Sequence, residues 1–296
     1  MIVFMKLSAS TYSYSALTSN GQMTLWDCIQ KTKEIGFDGI EFAGIGTAEE
    51  GCTVLDHAKK VREECVRVGL EITNYTIGAD LLNGHGCKPE DEVARLKKEV
   101  DIAAALGAPG MRHDLTYGFN AGARAWRGFD TILPQLAESC RIITEYAASK
   151  GVRTMVENHG YFSQDSDRIE RLVNAVAHEN FGIICDMGNF LCVDEDPIIA
   201  VSRLAPYTFL AHAKDFHVKS GSEPNPGSGF FGSRGGNYLR GAIVGHGDVP
   251  VLQCLRILRN AGYNGYVSLE FEGMEDPILG VSVGFKNLQQ YIRQLS

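Results

Sequence analysis

The chain has 296 residues, 28 Lys and Arg against 36 Asp and Glu, and a net charge of −8. That acidic balance argues against a nucleic-acid partner, whose phosphates select a basic face, and no apolar run approaches the about 20 residues of a membrane span. The eight cysteines include no C-x-x-C pair, which removes zinc-ribbon and dithiol redox motifs and fits buried thiols in a cytoplasmic protein.

The N-terminal MIVFMKLSAS turns polar too soon for a signal peptide, and either Met1 or Met5 could be the start. From Lys6, KLSASTYSY reads as a first strand. After it a unit recurs, in which a helical pattern ends at glycine and a short apolar strand follows. Glycine suits a helix C-terminus because it adopts the left-handed conformation cheaply. The instances are EIGFDGIEFAG from Glu34, RVGLEITNYTIG from Arg67, ALGAPGMRHDL from Ala105, SKGVRTMVENHG from Ser149 and NAGYNGYVSLEFEG from Asn260. FGIICDMGNF from Phe181 and YTFLAHAKDFH from Tyr207 add two strands without that glycine. Helices are expected over 23–35, 52–68, 89–106, 129–149, 165–178, 195–205, 249–261 and 278–295.

Eight strands alternating with eight helices predict an α/β fold, a closed (β/α)8 TIM barrel, with residues 1–296 as one domain. An open doubly wound sheet would want a G-x-G-x-x-G after its first strand, and none is present. The segment 218–248 stands apart, with nine glycines in 31 residues. Its Phe230, Phe231, Arg234, Tyr238 and Arg240 suggest a substrate-covering loop rather than an inert insertion.

Four consecutive strands end in metal-binding residue types: Glu157 on the fifth, Asp186 on the sixth, His212 on the seventh and Glu270 on the eighth. Side chains alternate along a strand, so Met155, Glu157 and His159 share one face, as do Ile184 and Asp186, Leu210, His212 and Lys214, and Ser268, Glu270 and Glu272. Any one of these acids would serve equally as a salt-bridge partner. Three carboxylates in one barrel mouth, however, repel one another unless a cation sits among them. Two Glu, one Asp and one His are a plausible set for one divalent ion with positions left for water or substrate.

The segments VENHG at 156–160, CDMGN at 185–189, HAKD at 212–215, GHGDVP at 245–250 and GYNGYVSLEFEG from Gly262 together resemble the xylose isomerase-like barrel superfamily of sugar phosphate isomerases and epimerases. The resemblance implies that Glu157, Asp186, His212 and Glu270 are the ligands of one divalent ion, manganese first, with magnesium, cobalt or zinc as alternatives. It further implies that Glu157 and Glu270 move the substrate's proton. The superfamily's nucleases carry a histidine three residues after the strand-six aspartate, where this chain has Asn189.

The expected function is therefore a metal-dependent isomerase or epimerase of a small sugar, ketose or sugar phosphate. It would work by proton transfer next to a carbonyl through a metal-stabilised enediolate. A lyase acting on 3-oxo-glycosides and a non-catalytic sugar-binding barrel are the alternatives. Glu41, Arg112, His113, His159, Asn189, Lys214, His217 and His246 are the candidate substrate contacts, while His57, His85 and His178 read as surface residues. The expected partner is a small-molecule sugar, with no nucleic acid or membrane. The resemblance implies a homo-oligomer, dimer or tetramer.

Overall fold

The computed structural model describes residues 5–48, 50–120, 122 and 127–295, so that Met1 lies outside the described residues. The chain runs β1 (Lys6–Ser10), a 3-10 turn at Thr11–Tyr14, α1 (Ser15–Ser19), α2 (Leu25–Ile35), β2 (Gly39–Ala43), α3 (Val54–Val68) and β3 (Glu71–Ile77). It continues through α4 (Glu92–Leu106), β4 (Gly110–His113), α5 (Phe129–Ser149), β5 (Arg153–Glu157), α6 (Ser166–Val176), β6 (Phe181–Asp186), α7 (Pro197–Leu204) and β7 (Thr208–Ala213). Then come β8 (Asp215–Lys219), β9 (Phe231–Gly232), β10 (Tyr238–Ala242), α8 (Val251–Asn260), β11 (Tyr266–Leu269) and α9 (Pro277–Leu295). Eight strands close into a parallel barrel in the order β1-β11-β7-β6-β5-β4-β3-β2, the (β/α)8 architecture that the alternation predicts.

The glycine punctuation works as the sequence suggests. Helices α2, α3 and α4 end at Gly36, Gly69 and Gly107, all left-handed, with φ of 110°, 69° and 77°. At its other end α2 opens with a capping box. The Asp27 N–H donates to Thr24 Oγ1 and the Thr24 N–H to Asp27 Oδ2, which satisfies donors the helix cannot use.

Alternation then sorts the strands into two layers. Val156, Ile183, Cys185, Ala211 and Val267 face outward into the main core beneath the helices. Met155, Ile184 and Leu210 face inward and form a small apolar cluster inside the barrel. One pleat further along those inward faces stand Glu157, Asp186 and His212. The apolar layer thus floors the polar one and shuts water out from below.

Two expectations need correction. The seventh strand was expected to run to His217, but β7 ends at Ala213, and Asp215–Lys219 joins a separate antiparallel sheet in the order β8-β10-β9. The cause is Asp215. Its buried carboxylate accepts N–H bonds from Phe216 (2.9 Å), Gly245 (2.9 Å), Gly247 (2.9 Å) and Val249 (3.0 Å), pulling the chain out of the barrel direction. The segment 218–248 is therefore largely an ordered hairpin, fixed to the β5 loop by Tyr161 Oη–H to Gly232 O (3.0 Å) and by the Arg234–Asp165 ion pair (3.1 Å). His57 is the second correction. It is buried on α3 rather than on the surface, its Nε2 bonded to Ile45 O at 2.8 Å.

Candidate metal centre and active-site cavity

The C-terminal ends of the barrel strands open into a cavity of about 470 Å³. Its inner wall holds Arg112, Asp114, Glu157, His159, Lys214, Glu270 and Glu272; the outer wall includes Tyr12, Gly78, His85, Arg95 and Glu99. His85 is exposed, as expected, but its ring faces this cavity.

At the bottom of the cavity Glu157, Asp186, His212 and Glu270 each aim one donor atom at a common point, all four atoms lying within 4.8 Å of one another. All four residues are buried. His212 Nδ1 lies 3.5 Å from Glu157 Oε1, 3.6 Å from Asp186 Oδ2 and 3.7 Å from Glu270 Oε2. These separations are too long for hydrogen bonds. His212 Nδ1 and Asp186 Oδ2 accordingly make no hydrogen bond although both are buried, and among the described residues only the Lys214 ammonium, 3.3 Å from Asp186 Oδ2, offsets that cost.

The histidine is oriented from behind. Glu41, fully buried on β2, stands 2.7 Å from His212 Nε2. Burial alone would raise the Glu41 carboxyl, but the His212 charge and hydrogen bond hold it below its ordinary value, so it is an ionised acceptor and Nε2–H must donate. Burial would lower the His212 imidazole, but Glu41, Glu270 and the other two carboxylates hold it well above its ordinary value, so Nδ1 carries a proton toward the cluster that a bound cation would displace. A carboxylate behind a ligand histidine is a recurrent feature of metal sites. Asn74 Nδ2 (3.1 Å) and Thr76 Oγ1 (2.8 Å) hold Glu41 in turn. The Gly188 and Asn189 N–H groups, each at 2.8 Å, fix Asp186 Oδ1 and turn Oδ2 toward the cluster. The donor set fits a hard or borderline divalent cation, because its atoms converge where an ion would satisfy them.

Around the cluster the charges interlock. Arg112 Nη2 lies 2.7 Å from both Glu157 Oε2 and Asp114 Oδ1. Lys214 Nζ lies 2.6 Å from Glu270 Oε2, 3.0 Å from Glu272 Oε1 and 3.3 Å from Asp186 Oδ2. Burial opposes ionisation of Glu157, yet Arg112 keeps its carboxyl well below the carboxylate range. Burial likewise opposes that of Glu270, which Lys214 and His212 hold at about 2. Glu272, less well paired, is raised by burial. His159 Nδ1 is 2.9 Å from Asp114 Oδ1, and its other ring edge lines the cavity.

Of the candidates named from sequence, Arg112, Glu157, His159, Lys214 and Glu270 line the cavity. Asp186, His212, Glu41 and Asn189 stand immediately behind it, Asn189 donating to Glu157 Oε1 at 3.1 Å. His113, His217 and His246 are elsewhere. His113 follows Arg112 and so points to the opposite face, where Nδ1 meets Asp114 O at 2.8 Å. His217 pairs with Arg240 in the small sheet, and His246 is exposed on the turn before α8.

Asp114, Asn158 and Glu272 were missed as site residues. Asp114 and Glu272 repeat the inward parity of Arg112 and Glu270, a signal present in the sequence. Asn158 clamps β5 to β6, donating to Asp186 O (2.9 Å) and accepting from Asp186 N (2.9 Å), which only the sheet order reveals.

The family described as xylose isomerase-like TIM barrel matches residues 29–293. No curated protein matches the sequence. Among solved structures, an L-ribulose 3-epimerase superposes with a TM-score of 0.72 at 13% identity, covering 98% of this chain and 95% of that one. The E. coli 3-keto-D-glucoside 4-epimerase gives 0.69 at 17%, covering 97% and 99%. The IolI protein, solved with a bound zinc atom, gives 0.75 at 15%, covering 99% of each. At these identities the likeness is one of fold.

Proposed function

The chain belongs to the xylose isomerase-like TIM barrel family, and from that premise we propose that it is an isomerase or epimerase of a small sugar, with one divalent cation held by Glu157, Asp186, His212 and Glu270. The observation that carries this reading is the convergence of one donor atom from each of Glu157, Asp186, His212 and Glu270 within 4.8 Å, with His212 Nδ1 and Asp186 Oδ2 buried and making no hydrogen bond. A divalent cation there supplies Lewis acidity toward a carbonyl oxygen, easing ionisation of the adjacent C–H.

The protein groups do the rest. Glu157 and Glu270 come from β5 and the end of β11, which β6 and β7 separate in the barrel order, so the two carboxylates reach a sugar carbon from different sides. Arg112 and Lys214 hold them ionised and therefore able to accept a proton at neutral pH. Removal by one carboxylate and return by the other, once that one has taken a proton from solvent, inverts a centre; transfer of the abstracted proton between neighbouring carbons exchanges aldose and ketose. Arg112, Lys214, His159 and Glu272 are placed to bind substrate hydroxyls.

A second reading, a lyase on 3-oxo-glycosides, is favoured by the Asp114–His159 pair. An imidazole fixed by a carboxylate beside the proton-abstracting group is suited to protonating a leaving oxygen.

The test is turnover of ketoses and 3-oxo-glucosides with Mn²⁺ in D₂O, followed by proton NMR. Solvent deuterium on the carbon next to the carbonyl is expected in the product, with aglycone release marking the lyase. A product free of deuterium would mean hydride transfer and defeat the proton-transfer mechanism. No conversion of any member of either substrate class would leave the binding-barrel reading in its place.

A further inference from the structure

The cavity is ringed by charged side chains, yet each of its cations is already paired with carboxylates. Arg95, Arg112 and Lys214 line it. Arg95 places Nε and Nη2 on the two oxygens of Glu92 at 2.9 and 2.8 Å, and Nη2 also reaches Gly78 O at 2.8 Å. Arg112 Nη2 is shared between Asp114 and Glu157, each at 2.7 Å, and the unpartnered Nε is buried. Lys214 answers Glu270, Glu272 and Asp186 at 2.6–3.3 Å, with Asn189 Oδ1 at 3.2 Å.

The backbone tells the same story. Barrels commonly bind phosphate with N–H groups of the loops after the last strands and a following helix N-terminus. In this chain the N–H groups of Gly245, Gly247 and Val249, in the loop before α8, converge at 2.9–3.0 Å on the carboxylate of Asp215. A Cβ on Gly247 would run into Asp215 Oδ1, so the carboxylate fills the cradle. The protein fills this backbone cradle with its own carboxylate.

The charge balance points the same way. Five buried carboxylates (Glu41, Asp114, Glu157, Asp186 and Glu270) and the more exposed Glu272 face Arg112 and Lys214, while Arg95 is balanced by Glu92 and Glu99. A divalent ion on the cluster leaves that balance negative. A phosphate or carboxylate on the substrate would add like charge to a poorly solvated site and would have to displace an existing carboxylate from its cation. Hydroxyls have no such conflict, because they donate to the paired carboxylates and accept from the paired cations.

We infer that the site takes an uncharged polyol, a free sugar or neutral glycoside, and rejects the phosphate ester or acid of the same sugar. This rests on the sugar reading above and narrows it.

The experiment compares matched pairs on the native chain with Mn²⁺: each ketohexose and 3-oxo-glucoside against its 6-phosphate, by calorimetric binding and by kcat/KM. The neutral member should bind at least about tenfold more tightly, as expected when one of the pair meets like charge, and inorganic phosphate should not displace it. Glu272→Gln, which removes one of Lys214's acids, should narrow the difference. A phosphate ester bound as tightly as its parent, displacement by inorganic phosphate, or a discrimination unchanged in Glu272→Gln would each overturn the inference. A neutral sugar that binds without turnover would refute catalysis while leaving the substrate class standing. Turnover that favours the ester would do the reverse, and no binding of any neutral sugar would sink both.

Discussion

Glu41 offers the sharpest test of the metal centre, because it touches no substrate and reaches the cluster only through His212. Its carboxylate is fully buried and is held by Asn74 at 3.1 Å and Thr76 at 2.8 Å while it accepts Nε2–H at 2.7 Å. Glu41→Gln keeps the shape but removes the charge that holds a proton on Nε2 and so leaves Nδ1 to the ion. Loss of such an outer partner costs about 10–100-fold in metal affinity, or roughly 1.4–2.7 kcal/mol. Stabilisation by a cation that binds only the folded chain falls by about the same amount at a fixed saturating concentration, a drop of a few degrees in Tm. Calorimetric titration with Mn²⁺ and with Zn²⁺, paired with thermal melts with and without chelator, measures both quantities. The native chain should lose stability on chelation, and Glu41→Gln should bind each ion more weakly while its chelated melt changes less. Equal affinities in native and variant chains would refute the orienting role. A native melt indifferent to chelator would refute the site itself.

Four further outcomes follow from particular contacts. Glu157→Gln and Glu270→Gln should each lower kcat by about 10² or more, the scale of a positioned proton-transfer group, and should suppress solvent deuterium uptake. Asp215→Ala leaves four backbone N–H groups without their acceptor; at about 1–3 kcal/mol for each that stays buried, a loss of several kcal/mol should appear in the urea midpoint. Asn158→Ala unties β5 from β6 and should weaken Mn²⁺ binding as measured by calorimetry, although the side chain offers the ion no atom. Burial would raise Glu92, but Arg95, Cys87 and the Asp80 N–H hold it at about 2 against an ordinary value of 4.5. A depressed carboxyl stabilises the fold above its unfolded pKa, so this contribution should fade as pH falls from 4.5 toward 2. The acid limb of stability against pH should therefore be shallower in Glu92→Gln; parallel limbs would rule the contribution out.

Much of this architecture is local and was therefore legible in the residues. Glycines at positions 36, 69 and 107 stop helices because they tolerate positive φ wherever they occur. The two-residue period of a strand places Glu157 above Met155 and His212 above Leu210 without knowledge of any neighbour. Parity could also have flagged Asp114 and Glu272, and it separates Arg112 from His113. What parity cannot give is distance across the barrel. Glu41 meets His212 across 171 positions, and Asn158 meets Asp186 across 28, only because the strands close in one order and register. Nor can sequence rank two aspartates of identical chemistry. Asp186 keeps one oxygen clear of hydrogen bonds and turned to the cluster, whereas Asp215, just past the end of the neighbouring strand, spends both oxygens on backbone N–H groups and draws the chain into the second sheet. The difference lies in which donors the folded chain brings within 3 Å of each carboxylate, and a hydrogen bond, unlike a propensity, exists only at that range.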